Sequence, residues 1–197
     1  MLIKICGITR LEDAEAAVAA GASAIGFVFW PNSPRFVDPY TARQIALRLP
    51  PFVTPVGVFV NQPLQHVRAV ASLVRLGAVQ LHGDETPEDA AVLSIPVIKA
   101  VSAPGTATDA WPASTMLLLD AHDPVMRGGT GRTIDWTAAA AVAAQRKILL
   151  AGGLTPDNVA EAVARVRPFG IDVSSGVERA PGIKDHQRLR ALFEAMA

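Results

Sequence analysis

The chain contains a single cysteine, at position 6, inside Lys4-Ile5-Cys6-Gly7-Ile8-Thr9. A short apolar run from Leu2 to Ile5 precedes it. A glycine turn, a threonine able to cap a helix and an alanine-rich stretch follow it. A lone cysteine is most often an inert packing residue. At the end of a strand and before a glycine it sits instead on a rim, where a thiolate can act as base or nucleophile. In parallel α/β proteins that rim, at the C-terminal ends of the strands, is where ligands bind.

Other chemistry-bearing residues recur at similar points. Asp120 closes the run Met116-Leu117-Leu118-Leu119. A carboxylate there is costly unless it faces the mouth of the fold, caps a helix or joins a salt bridge. A partly apolar setting raises a carboxyl pKa and makes it an acid near neutral pH. His82 follows Ala78–Leu81, with Gln80 on the same side by alternation. It suits a ligand contact and a loop hydrogen bond equally. Arg35 lies in the proline-containing loop 30–35, where a guanidinium matches a carboxylate in a bidentate manner or is simply solvated. Asn61 is a weaker candidate.

Gly152-Gly153 and Ser174-Ser175-Gly176 offer bare backbone N–H groups to a phosphate, or are tight turns that need positive φ. Two such turns after the seventh and eighth apolar runs favour a phosphorylated small molecule, with a helical turn expected within 174–178. Alternation puts Lys4 on the side of Cys6, and Asp172 on that of Ser174. The expectation is a buried ionic layer below the site, with Lys99 a candidate third member, acting as structural support. The 127–131 segment reads as a flexible loop able to close over a ligand.

The elements that must position these residues alternate regularly. Strands are expected at Leu2–Cys6, Ala24–Phe29, Pro55–Val60, Ala78–Leu81, Pro96–Val101, Thr115–Ala121, Lys147–Ala151 and Gly170–Val173. Helices are expected at about Leu11–Ala20, Tyr40–Leu49, Leu64–Leu76, Pro87–Leu93, from Asp135 to Ala144, Pro156–Val166 and Asp185–Met196. The helix after the fifth strand is short or absent. The strands are nearly continuous apolar runs, as in parallel strands buried on both faces. Eight evenly spaced βα units point to one (β/α)8 TIM barrel over residues 1–197, an α/β single domain. An open doubly wound sheet is the alternative, but the first βα turn lacks G-x-G-x-x-G.

Composition narrows the function classes. Half of the residues are hydrophobic and 18% are charged, which describes a well-buried globular chain. Lys plus Arg equals Asp plus Glu, 18 each, which gives no electrostatic case for nucleic acid or an anionic membrane. No leader pattern and no spanning apolar run is apparent, so a cytoplasmic protein is expected. One cysteine allows no internal disulfide, and no Cys/His spacing suggests a metal. Trp30 and Phe52, if exposed, would permit a homodimer, and a monomer is equally compatible.

KICGIT (4–9), GFVF with SPR (26–29, 33–35), VGVFVN (56–61), VQLHG (79–83), LLLDA (117–121), GGTG with DW (128–131, 135–136), AGGLTPDNV (151–159) and DVSSGVE with PG and KD (172–178, 181–185) occur in this order. Together they resemble the phosphoribosylanthranilate isomerase family over nearly the whole chain. The resemblance implies an Amadori rearrangement of N-(5-phosphoribosyl)anthranilate to 1-(2-carboxyphenylamino)-1-deoxyribulose 5-phosphate in tryptophan biosynthesis, without cofactor or metal. It implies Cys6 as general base and Asp120 as general acid. It also implies Arg35 on the anthranilate carboxylate and the Gly152-Gly153 and Ser174-Ser175-Gly176 turns on the phosphate.

The rivals are other phosphate-binding barrels acting on phosphoribosyl aminoaldoses, and a non-catalytic phosphate-ligand binder. An isomerase that also serves histidine biosynthesis is expected to carry aspartate where Cys6 stands. Indole-glycerol-phosphate synthase would bring an interior lysine acid and an N-terminal extension. A metal-dependent epimerase needs His and Asp ligands that the ends of strands two and three lack. A binder has no use for both Cys6 and Asp120.

Overall fold

The apolar runs become strands whose side chains alternate between two environments. In the computed structural model, which describes residues 1–102, 106–120 and 134–196, β1 is Leu2–Ile5, β2 Ala24–Val28, β3 Thr54–Phe59 and β4 Ala78–Leu81. β5 is Val97–Ser102, β6 Met116–Asp120, β7 Ile148–Leu150 and β8 Gly170–Val173. All pair in parallel and in chain order, and β8 returns to β1, so the sheet closes into a barrel. The register sets Lys4 of β1 beside Asp172 of β8 and Ala24 of β2.

Ile3, Ile5, Ile25, Phe27, Val79, Leu81, Leu117 and Leu119 face outward and pack with the helices in the main core. The other face fills the barrel: Ala24, Val56 and Ala78 form one group, and Ala100, Leu118, Leu149 and Ala151 another. This is a packed interior, so chemistry is confined to its rim.

The helices are α1 (Leu11–Ala20), α2 (Pro39–Ala46), α3 (Leu64–Val74), α4 (Pro87–Ala91), α5 (Thr106–Asp109), α6 (Trp136–Ala143), α7 (Val159–Val166) and α8 (His186–Glu194). Local capping starts several of them. Asp38 accepts from the N–H groups of Tyr40 and Thr41, and Asp135 and Asp185 do the same for α6 and α8. Thr86 and Asp89 form a capping box on α4. The helix after β5 is four residues long, as its proline-rich sequence implied.

Two expectations were displaced. Thr9 does not cap α1; its hydroxyl donates to Gly182 O at 2.6 Å, and Arg10 occupies the cap position. α7 begins three residues after Pro156, because Asn158 takes the cap position and its side chain is used in the preceding turn. The sequence reading also missed a short antiparallel hairpin, β9 (Glu178–Ala180) with β10 (Ile183–Lys184), between β8 and α8. Among the described residues, no helix is long and apolar enough to cross a membrane.

Candidate active site

One cleft at the C-terminal rim is lined by Cys6, Arg35, His82, Asp120, Gly152, Gly153, Ser174, Ser175 and Gly176. The site residues expected from the sequence meet there, apart from the weaker candidate Asn61. They arrive from the ends of β1, β4, β6, β7 and β8 and the loop after β2.

Cys6 follows β1, and its N–H donates to Val173 O at 2.9 Å, which extends the β1–β8 ladder by one residue. Its side chain is buried against Val28, Val58 and Trp30. Trp30 is thus a wall of the cleft, whereas Phe52 is the exposed one, at 96%. Burial pushes the thiol pKa up. Lys4 opposes that, Asp172 adds to it, and Lys184 opposes it more weakly.

Lys4 Nζ donates to Asp172 Oδ1 at 2.9 Å, with both side chains buried. The Cys6 sulfur and the Lys4 stem pack side by side over Gly26. Burial alone would lower the Lys4 pKa, but Asp172 and Cys6 outweigh it and raise it. Lys99 does not join this pair. It stands on the outward alternation of β5 with Val97 and Val101. There it binds Glu85 at 2.8 Å and the Gly83 carbonyl at 2.7 Å, over the Trp111 ring.

Across the mouth, His82 Nε2 lies 3.5 Å from Asp120 Oδ2, while Gln80 Nε2 meets His82 Nδ1 at 2.9 Å. An amide nitrogen only donates, so with this orientation the neutral ring carries its proton on Nε2, toward Asp120. Alternation had put Gln80 and His82 on one side, and the contact follows from it. Gln80 Oε1 is buried and has no hydrogen-bond partner among the described residues. Asn61 is used elsewhere. It ties the loop after β4 through Asp84 and Glu85 and does not line the cleft.

Arg35 is buried, and its fork is already engaged. Nε and Nη2 donate to both carboxylate oxygens of Glu178 at 2.7 to 3.1 Å. Among the described residues Nη1 carries no hydrogen bond, so it is the edge of the guanidinium that Glu178 leaves open. Glu178 also accepts from Lys184 Nζ at 2.9 Å, and Lys184 reaches the carbonyls of Cys6 at 2.6 Å and Ser174 at 3.2 Å. Burial would raise the Glu178 pKa, yet Arg35 and Lys184 hold it below the usual carboxylate range. This bracket joins the ends of β1 and β8 to the Arg35 loop. Glu178 and Lys184 were missed from sequence because the hairpin that turns them inward was missed.

The two glycine turns pack on each other. Gly152 and Gly153 have φ of 81° and 64°. A Cβ on Gly176 would stand 1.8 Å from Leu154 O, so no side chain fits there. Asn158 braces the turn, donating to Gly153 O at 2.9 Å and accepting from Thr155 N at 2.8 Å. Ser175–Val177 form the expected helical turn, of 3₁₀ type, and Ser174 Oγ is buried without a partner among the described residues. The Gly128–Gly131 segment, expected as a closing loop, lies outside the described residues.

Comparison with known proteins gives the following. The family model for N-(5′-phosphoribosyl)anthranilate (PRA) isomerase matches residues 3–195. The N-(5′-phosphoribosyl)anthranilate isomerase of Citrifermentans bemidjiense is 50% identical over 194 residues, 97% of this chain and 94% of that one. The crystal structure of the Thermotoga maritima phosphoribosyl anthranilate isomerase superposes with a TM-score of 0.91 at 44% identity, covering 99% of this chain and 98% of that one. A phosphoribosyl anthranilate isomerase solved in complex with reduced 1-(o-carboxyphenylamino)-1-deoxyribulose 5-phosphate matches with a TM-score of 0.88 at 42% identity, covering 99% and 97%.

Proposed function

The chain belongs to the N-(5′-phosphoribosyl)anthranilate isomerase family, and from that premise we propose how its residues divide the reaction. The activity is the Amadori rearrangement of N-(5-phosphoribosyl)anthranilate in tryptophan biosynthesis. The observation that carries the assignment of roles is the single cleft. A thiol and a carboxyl enter it from β1 and β6, and two glycine turns enter it from β7 and β8.

The phosphate is received by the N–H groups around Gly152-Gly153 and Ser174-Ser175-Gly176, with the Ser174 hydroxyl as a further donor. Arg35 Nη1 meets the anthranilate carboxylate. The aromatic ring then falls against Trp30, Val28 and Val58, and the sugar lies between Cys6 and Asp120. Protonated Asp120 gives its proton to the furanose ring oxygen. The C1′–O bond breaks as the nitrogen lone pair forms an iminium. That cation acidifies C2′–H, and the Cys6 thiolate takes the proton. The Cys6 thiol gives that proton to C1′ of the enolamine as the enol O–H proton leaves, giving the ketone and restoring the thiolate. Asp120 is left as a carboxylate, beside the His82 Nε2–H, and regains its proton before the next turnover. Acid and base held across one sugar convert two proton transfers into steps of one complex.

Residues 1–197 act as one catalytic barrel in this reading. Each assigned residue comes from one chain, so a monomer suffices and a homodimer is compatible. The test is direct: generate the substrate in situ with the purified chain and follow loss of its anthranilate-type fluorescence. Turnover is expected. A folded, phosphate-binding chain that gives none would overturn the assignment of acid and base.

A further inference from the structure

Lys4 is fully buried, and two acidic groups, Asp172 and Cys6, both favour its charged form. Asp172, one strand away on β8, anchors it at 2.9 Å, and the Cys6 sulfur packs beside the Lys4 stem over Gly26. The buried Lys4–Asp172 pair expected from alternation is present, with Lys4 beneath the cleft and Asp172 reaching its lining beside Cys6. Gly26 on β2 makes room for this arrangement. A Cβ there would stand 2.8 Å from Cys6 Sγ and 3.1 Å from Lys4 Cε. Any larger residue would push the sulfur and the lysine stem out of the slot they share.

We propose that Lys4 is a positioning residue of the isomerase: its ammonium, anchored by Asp172, is the counter-ion that holds Cys6 as the thiolate. This rests on Cys6 being the base, as assigned above. A base must be ionised when C2′–H becomes acidic, and a sulfur walled by Val28, Val58 and Trp30 has lost the water that would stabilise its charge. The other charged groups around it cannot replace Lys4. Lys184 spends its protons on the Cys6 and Ser174 carbonyls and on Glu178, and Arg35 spends its fork on Glu178. His82 and Asp120 face each other from β4 and β6. Asp172 disfavours the thiolate, so its contribution is to fix where the ammonium stands.

Because Cys6 is the only cysteine in the chain, iodoacetamide reads one sulfur. The alkylation rate against pH and the acid limb of kcat/KM are measured together on the full chain. Lys4→Met alone strands a buried carboxylate and threatens folding. The informative variants are therefore K4M/D172N, which removes both charges, and D172N alone.

In K4M/D172N the alkylation midpoint and the acid limb should both move up by about one pH unit, which is about a tenfold smaller thiolate fraction near neutrality. The loss in kcat/KM should be greatest on the acid side and narrow as the pH rises past the shifted midpoint. In D172N the alkylation midpoint should move down. A purely structural role would lower activity by the same factor at every pH, and unmoved midpoints in both variants would overturn the proposal. If alkylation shifts but kcat/KM does not, Cys6 is not the base and the proposal falls with that assignment. If both hold still while Cys6→Ala is inactive, only the role of Lys4 fails.

Discussion

At the end of the cleft proposed to react the candidate groups are side chains: Cys6, Asp172, His82, Asp120 and Arg35, with Lys4 buried beneath them. Each is held by a named partner, and several are buried ions. At the end proposed to take the phosphate the cleft offers mostly backbone, from Gly152, Gly153 and Gly176, with a carbonyl braced by Asn158 and no room for a Cβ at Gly176. In the proposed mechanism one end works through protonation states of single atoms, the other through the shape of two turns. Substitutions at the first should therefore act on kcat and at the second on KM.

The largest effects should come from removing the two proton carriers. Cys6→Ala and Asp120→Val should each lower kcat by about 10²- to 10⁴-fold, the usual worth of a positioned acid or base, with KM changed by no more than about threefold. The fluorescence assay at saturating substrate reads this. Near-normal kcat in either variant would strip that residue of its role, and an unfolded variant by circular dichroism would call for Cys6→Ser or Asp120→Asn instead.

A smaller effect is expected at the other end. Gly176→Ala puts a carbon where Leu154 O now stands, so the Ser174–Gly176 turn has to shift. Losing one charge-assisted hydrogen bond to the phosphate, about 1.5–3 kcal/mol, should raise KM by about ten- to a hundredfold. kcat at saturation should remain within about threefold. A kcat loss as large as the KM gain would show that the two ends are not separable in this way.

The difference between the two ends also explains what the sequence made legible. Strand ends are visible as apolar runs that stop, so Cys6, His82, Asp120 and both glycine turns could be placed on one rim before any coordinates. Alternation correctly paired Gln80 with His82 and set Lys4 and Asp172 inside. It did not tell which face of β5 Lys99 takes, because β5 is apolar on both faces and the register is set by its neighbours. Glu178 and Lys184 escaped for a different reason. Their hairpin is three residues against two, too short for a periodic signal. The Arg35–Glu178 fork depends on that hairpin, so the sequence left Arg35 bidentate to a carboxylate or solvated without showing that Glu178 takes Nε and Nη2.

The smallest effect on turnover should come from the charged bracket outside the cleft. Asp13 is buried and accepts from Lys184 N at 3.0 Å, from His186 Nε2 at 2.8 Å and from Arg10. Burial would raise its pKa, but these donors outweigh burial and lower it, as Arg35 and Lys184 do for Glu178. For both carboxyls the folded pKa is thus below the unfolded one. On acidification the unfolded chain binds protons first, so the stabilisation is complete above the ordinary carboxylate range near about 4 and disappears as the pH falls through the folded values. Urea unfolding should show a midpoint that is flat from pH 7 to 5 and drops below. Asp13→Asn should keep kcat within about twofold, since no atom of Asp13 reaches the cleft. Its stability deficit against wild type should be greatest near neutrality and shrink toward pH 3. A deficit that stayed constant down to pH 3 would mean that the Asp13 carboxylate charge does not hold the hairpin to α1, and that neutral packing does.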